Sequence, residues 1–168
     1  DAAKNSLAEG QEIQNGDFTL LAHTNTVIEA KKVTFEDGYT STKRLALGGG
    51  LATNKAAIKF TTTAAAEVTV YWVSGGDGRE IKIIDAAGTQ KAITEVGSVK
   101  NTAYVSMLSL EEAGTFLLGS SSSSNYIFKI VVKEAAPEPV EMVFDAGAMD
   151  DAAKNSLAEG QEIQNGDF

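Results

Sequence analysis

Short apolar runs rich in β-branched and aromatic residues, with turn residues between them, recur along almost the whole chain and confine it to an all-β fold. They fall at 18–22, 26–30, 43–47, 57–61, 68–73, 80–84, 90–94, 103–108, 115–118 and 126–132, and a further run lies at 142–144. Several alternate with period two, which marks half-buried strands. In EVTVYWV at 67–73, Val68, Val70 and Trp72 share one face, while Thr69 and Tyr71 share the other. Trp72 is therefore read as core and Tyr71 as exposed. In YIFKIVV at 126–132, strict alternation sets Tyr126, Phe128, Ile130 and Val132 against Ile127, Lys129 and Val131. The expected architecture is an antiparallel, jelly-roll-like β-sandwich of nine to ten strands, with 18–22 and 26–30 as a first pair joined by His23, Thr24 and Asn25. A helical turn is expected only at 1–9, stopped by Gly10, and at its copy 151–159, stopped by Gly160.

That copy is literal: DAAKNSLAEGQEIQNGDF stands at 1–18 and again at 151–168. Either the duplication was introduced, or the chain samples a tandem array of period 150 across a repeat boundary. A period that long means whole domains. Both prolines lie at 135–139, which reads as an extended linker. The domain reading is thus a sandwich module at 1–134 lacking its opening strand, a linker at 135–139, and the opening segment of the next repeat at 140–168. That segment would complete this sheet or a neighbour's, because a sheet short of an edge strand exposes unpaired backbone groups.

Charge and composition then exclude whole classes. A formal net charge of −9 opposes nucleic acid as a partner. It also opposes a purely electrostatic grip on an acidic polymer. No apolar run reaches the length of a membrane-spanning helix. Without cysteine there is no disulfide, thiolate catalysis or thiolate metal site. One histidine, His23, cannot build an imidazole metal site and reads as a surface turn residue. No pair among the 23 acidic residues stands out for glycoside hydrolysis, so the chain reads as non-catalytic with no cofactor. Asp37, Asp77 and Asp85 lie in turns and offer calcium oxygen ligands, but none sits in an EF-hand-like loop. The three glycines at 48–50 lack the flanking Lys and Ser or Thr of a phosphate loop and read as a turn.

The stretch 38–130 resembles the β-sandwich accessory modules attached to secreted bacterial pectate lyases, pectinesterases and surface proteins. The likeness is carried, in order, by YTSTKRLALGG at 39–49, IKFT at 58–61 and VTVY at 68–71. Arg79 with the turn DAAG at 85–88, AGTFLL at 113–118 and NYIFKI at 125–130 continue it, and FDA at 144–146 echoes the opening strand. The resemblance implies a secreted or cell-surface location and a carbohydrate-active setting, with a polysaccharide such as pectin as partner. Aromatic rings stack on sugar faces, and cations and amides hold hydroxyls or carboxylates. The candidate ligand-binding residues are accordingly Tyr39, Lys43, Arg44, Tyr71, Arg79, Asn125 and Tyr126. The three cations serve equally well in salt bridges to Glu67 or Glu80. The competing function is a structural repeat of a surface protein, whose copies associate through edge-strand exchange.

Overall fold

The computed structural model describes residues 5–136. All regular structure among them is strand, and twelve strands form two antiparallel six-stranded sheets. The first sheet runs β1 (Asn5–Ser6), β4 (Val27–Thr34), β5 (Thr40–Ala46), β12 (Tyr126–Glu134), β7 (Ala66–Val73) and β10 (Ala103–Leu110). The second runs β2 (Glu12–Asn15), β3 (Phe18–Leu21), β6 (Ala57–Thr62), β11 (Gly114–Ser120), β8 (Ile81–Asp85) and β9 (Gln90–Ile93). This is the jelly-roll-like sandwich that the alternating runs imply.

Period two puts one side of each strand into the space between the sheets. Val68, Val70 and Trp72 of β7 meet Ile81 and Ile83 of β8 and Phe116 and Leu118 of β11, all fully or almost fully buried. Each such side chain contributes roughly 1.5–3 kcal/mol by leaving water. Trp72 stacks on Tyr104 at 4.9 Å between ring centroids, and its indole N–H donates to Ser106 Oγ at 3.0 Å. A smaller cluster of Leu21, Ala57, Ile84 and Leu117 packs with Leu51. The segment bearing Leu51 approaches β11 closely: a Cβ on Gly119 would stand 2.7 Å from the Ala56 carbonyl oxygen, so only glycine fits there.

Three local expectations change. Where the structure describes it, at 5–9, the expected helical turn is absent, because Asn5 and Ser6 pair with Ile28 and Val27 at the edge of β4. The Leu7 N–H donates to Thr26 O at 3.0 Å, Leu7 packs on the main core, and Gly10 (φ +79°) turns the chain into β2. Edge pairing and burial of one leucine thus outweigh the local helix propensity. Nor are β3 and β4 a hairpin. They belong to different sheets, and the segment between them is an arch held by Thr26. The buried Thr26 hydroxyl accepts from His23 N–H at 2.7 Å and donates to Leu47 O at 2.8 Å. Third, β12 carries a bulge between Ile127 and Lys129. Phe128 is the extra residue, so Ile127 faces Trp72 in the core while Ile130 and Val132 do the same beyond the bulge. Strict alternation across 126–132 therefore fails at that point. The strand, opening-segment and helical-turn expectations that fall at 140–168 lie outside the described residues.

Candidate functional site

The solvent side of the first sheet gathers aromatic rings under cations. A row of neighbours is set by register: Glu29 of β4 opposite Arg44 of β5, and Lys129 of β12 opposite Tyr71 of β7. Arg44 lies over Tyr126, its guanidinium carbon 3.8 Å from the ring centroid. Its Nη2 reaches Glu29 Oε1 at 2.7 Å and Nε the same oxygen at 2.8 Å. Beside it, Lys129 Nζ stands 4.6 Å from the Tyr39 ring and 5.1 Å from the Tyr71 ring. Cation–π contacts at an exposed or half-buried face such as this contribute on the order of 0.5–1 kcal/mol and bias where the charge points.

The segment between β4 and β5 builds the rest. Phe35 is buried against Tyr71, Phe128 and Tyr39, at 5.3, 5.4 and 5.9 Å between centroids. Tyr39 and Tyr71 meet edge to face at 5.0 Å. Asp37 locks this corner: its carboxylate accepts from Tyr39 N–H at 2.9 Å and from Tyr71 O–H at 2.7 Å. The two donors, with Lys129 nearby, hold the Asp37 carboxyl below the usual aspartate range, and the same bond raises the Tyr71 phenol. The exposed side chains of Val131 and Met107 continue the face on β12 and β10.

Of the seven candidate residues, the structure brings Tyr39, Arg44, Tyr71 and Tyr126 together on this face. Tyr71 is not the open platform that alternation implies; only 9% of it is exposed, because Phe35 and Tyr39 cover its ring. Arg44 pairs with Glu29 rather than Glu67 or Glu80. Lys43 points away from Arg44, as neighbours on a strand must, and lines a cleft between the sheets. Arg79 lies in the segment between β7 and β8 and donates from Nη1 to Ser124 O at 3.0 Å. Asn125 is fully buried and cannot face a ligand. Its Oδ1 accepts from Gly75 N–H at 3.1 Å, and its Nδ2 donates to Arg79 O at 3.3 Å and Glu80 O at 3.1 Å. Sequence reasoning passed over Lys129. Its signal was a lone charge inside the apolar run of β12.

The three aspartates considered for calcium are each occupied in separate places. Asp37 serves the corner above, Asp77 accepts from Lys100 N–H at 2.8 Å, and Asp85 accepts from Ala87 and Thr89 N–H, both at 2.9 Å. Among the described residues no group of three or more His, Asp or Glu converges as a metal requires. His23 Nδ1 accepts from Asn25 N–H at 3.3 Å within the arch.

The cleft that Lys43 lines opens between the β2–β3 hairpin and the inner sides of β4, β5 and β12. It has a volume of about 780 Å³ and apolar walls that include Ile13, Phe18, Ile28, Leu45 and Ile130.

No protein-family model and no curated protein matches the sequence. Among solved structures, the chain is similar to CsCBM6-3 from Clostridium stercorarium in complex with cellobiose. The match has 11% sequence identity and a TM-score of 0.36, and it covers 79% of this chain and 94% of that one.

Proposed function

We propose that this chain is a non-catalytic carbohydrate-binding module of a secreted or cell-surface bacterial protein, taking a plant cell-wall polysaccharide such as pectin. The observation that carries the reading is the face of the half-buried Tyr39 and Tyr126, with Lys129 and Arg44 held beside their rings. Rings and exposed aliphatic groups suit the C–H faces of a sugar chain, and a cation positioned beside them suits a uronate carboxylate. Arg44 is already neutralised by Glu29, so Lys129 is the cation offered to such a carboxylate. The resemblance of 38–130 to accessory modules of pectin-degrading enzymes points the same way. With a net charge of −9, the grip on an anionic polymer rests on this local geometry rather than on the overall field.

Affinity electrophoresis in native gels cast with polygalacturonate, with a neutral glucan, or with neither tests this. Retardation by polygalacturonate is expected, and Lys129→Ala should reduce it several-fold while leaving the unfolding midpoint near that of the parent. A chain retarded by no polysaccharide, or one retarded equally before and after Lys129→Ala, refutes the assignment.

A further inference from the structure

We propose that β10 is a docking edge for a second copy of this chain, the two β10 strands pairing antiparallel about a two-fold axis so that both first sheets become one. The two sheets end at β1, β10, β2 and β9. Strands β2 and β9 are only four residues long, and β9 meets β8 with a register shift. Beyond the two residues of β1, the β4 edge carries Lys31 and Lys32 and a register shift between Ala30 and Val33. Short strands, charges and bulges are the devices that keep a sheet from growing at its edge. Edge β10 has none of them: Ala103–Leu110 runs eight residues without a charge, a proline or a register shift against β7.

Hydrogen bonding shows which groups this edge offers. Ser74 N–H donates to Thr102 O at 3.1 Å, where β7 and β10 begin to pair. Alternating from there, Tyr104, Ser106, Leu108 and Leu110 turn their backbone groups toward β7, and Ala103, Val105, Met107 and Ser109 turn theirs outward. Among the described residues no strand takes up those outward groups. The side chains of the same four residues lie on the side away from the core, and Met107 is 67% exposed.

A second copy of β10 satisfies these groups in a single register. With the axis at Ser106, Ala103 lies opposite Ser109 of the second copy and Val105 opposite its Met107. Every outward-facing residue then meets another, and both N–H···O bonds of each pair form. Val105 and Met107 become apolar cross-strand neighbours, and no like charges face each other. Charge complementarity continues just outside the paired strands. The same register brings the exposed Lys100, which has no ion-pair partner among the described residues, to Glu112 of the second copy, with Glu111 beside it. The contact is isologous and so closes at two copies. Its axis stands normal to the sheet, which turns the Tyr39 and Lys129 faces of both copies the same way. A two-point grip on one glycan rests on the function proposed above; the pairing itself does not.

Sedimentation velocity over a range of concentrations tests the pairing without any glycan. The parent should pass reversibly from monomer to dimer, and amide exchange at Val105 and Met107 should slow as the dimer fills. Met107→Lys should raise the dissociation constant by roughly tenfold or more, since the two-fold counts each lost Val105–Met107 neighbour twice. Lys100→Glu should raise it several-fold at low salt and less at high salt. Both side chains are exposed, and the fluorescence of the buried Trp72 should show each variant folded as the parent is. A parent that stays monomeric at every concentration overturns the proposal. So does a dimer that Met107→Lys leaves unchanged, or one whose slowed amides lie on another edge. A parent that dimerises in this way yet is retarded by no polysaccharide supports the pairing and refutes only the glycan reading.

Discussion

Replacing Asn125 with alanine should cost stability, not ligand contact, and the structure gives the size of the effect. Its side-chain amide bonds three backbone groups of one neighbouring segment: Gly75 N–H, Arg79 O and Glu80 O. The two carbonyls keep other partners, since Arg79 O accepts from Ser98 Oγ at 2.7 Å and Glu80 O from Ser121 N–H at 2.8 Å. Gly75 N–H keeps none among the described residues. One orphaned donor costs about 1–3 kcal/mol, and two second hydrogen bonds add on the order of 1 kcal/mol together, so the total is about 3 kcal/mol. For a domain of this size that lowers Tm by roughly 10 °C. Asn125→Asp separates the contributions further. Its carboxylate still accepts from Gly75 but faces two carbonyl oxygens, so its pKa is raised in the folded state. Stability linked to a raised pKa is present at low pH and lost as pH climbs, so this variant recovers toward the parent on acidification. Urea unfolding followed by the fluorescence of Trp72, which is the sole tryptophan and fully buried, reads both variants. An Asn125→Ala midpoint within about 0.5 kcal/mol of the parent would refute the accounting. So would loss of polysaccharide retardation at an unchanged midpoint, which would return Asn125 to a ligand-binding role.

Thr62 Oγ1 is buried with no hydrogen-bond partner, so Thr62→Val, which keeps the shape, should raise stability by about 1 kcal/mol in urea titration. Gly48 and Gly38 form a matched pair with φ +85° and +86°. A Cβ on Gly48 meets Asn25 C at 2.6 Å whereas one on Gly38 meets nothing within 4 Å. Gly38→Ala should therefore cost about 1–2 kcal/mol and Gly48→Ala clearly more, with equal costs counting against the contact argument. Because the Asp37 carboxyl is held below its ordinary range, its contribution is complete above that range and vanishes as pH falls through the lowered value. Asp37→Asn should accordingly flatten the acid limb of a Tm-versus-pH curve, and an unaltered acid limb would contradict the assignment.

Much of the fold was legible because burial on one side of a sheet writes itself into sequence at period two. Val68, Val70 and Trp72 alternate with Thr69 and Tyr71, and the core forms on the side that the pattern names. The same rule failed where a local irregularity changed the count. The bulge at Phe128 places Tyr126 on the solvent side beside Arg44, and no composition signal marks it. It failed again where a loop covered a strand. Tyr71 alternates to the outside as read, but Phe35 and Tyr39 come back over it from the segment after β4.

Sequence alone settled the class of the protein and the chemistry denied to it: strands of period two, an acidic balance, no cysteine and a single histidine. Those properties are local or additive, and they do not depend on which strand lies beside which. Tertiary structure decided the rest. It sent β3 and β4 to opposite sheets, turned Asn125 from a candidate ligand contact into an internal brace and chose Glu29 as the partner of Arg44. It also set Lys129 over two tyrosine rings. Each of these is a contact between segments distant in sequence, fixed by register and crossover, and the free energy that selects among pairings belongs to the assembled sandwich rather than to any one strand.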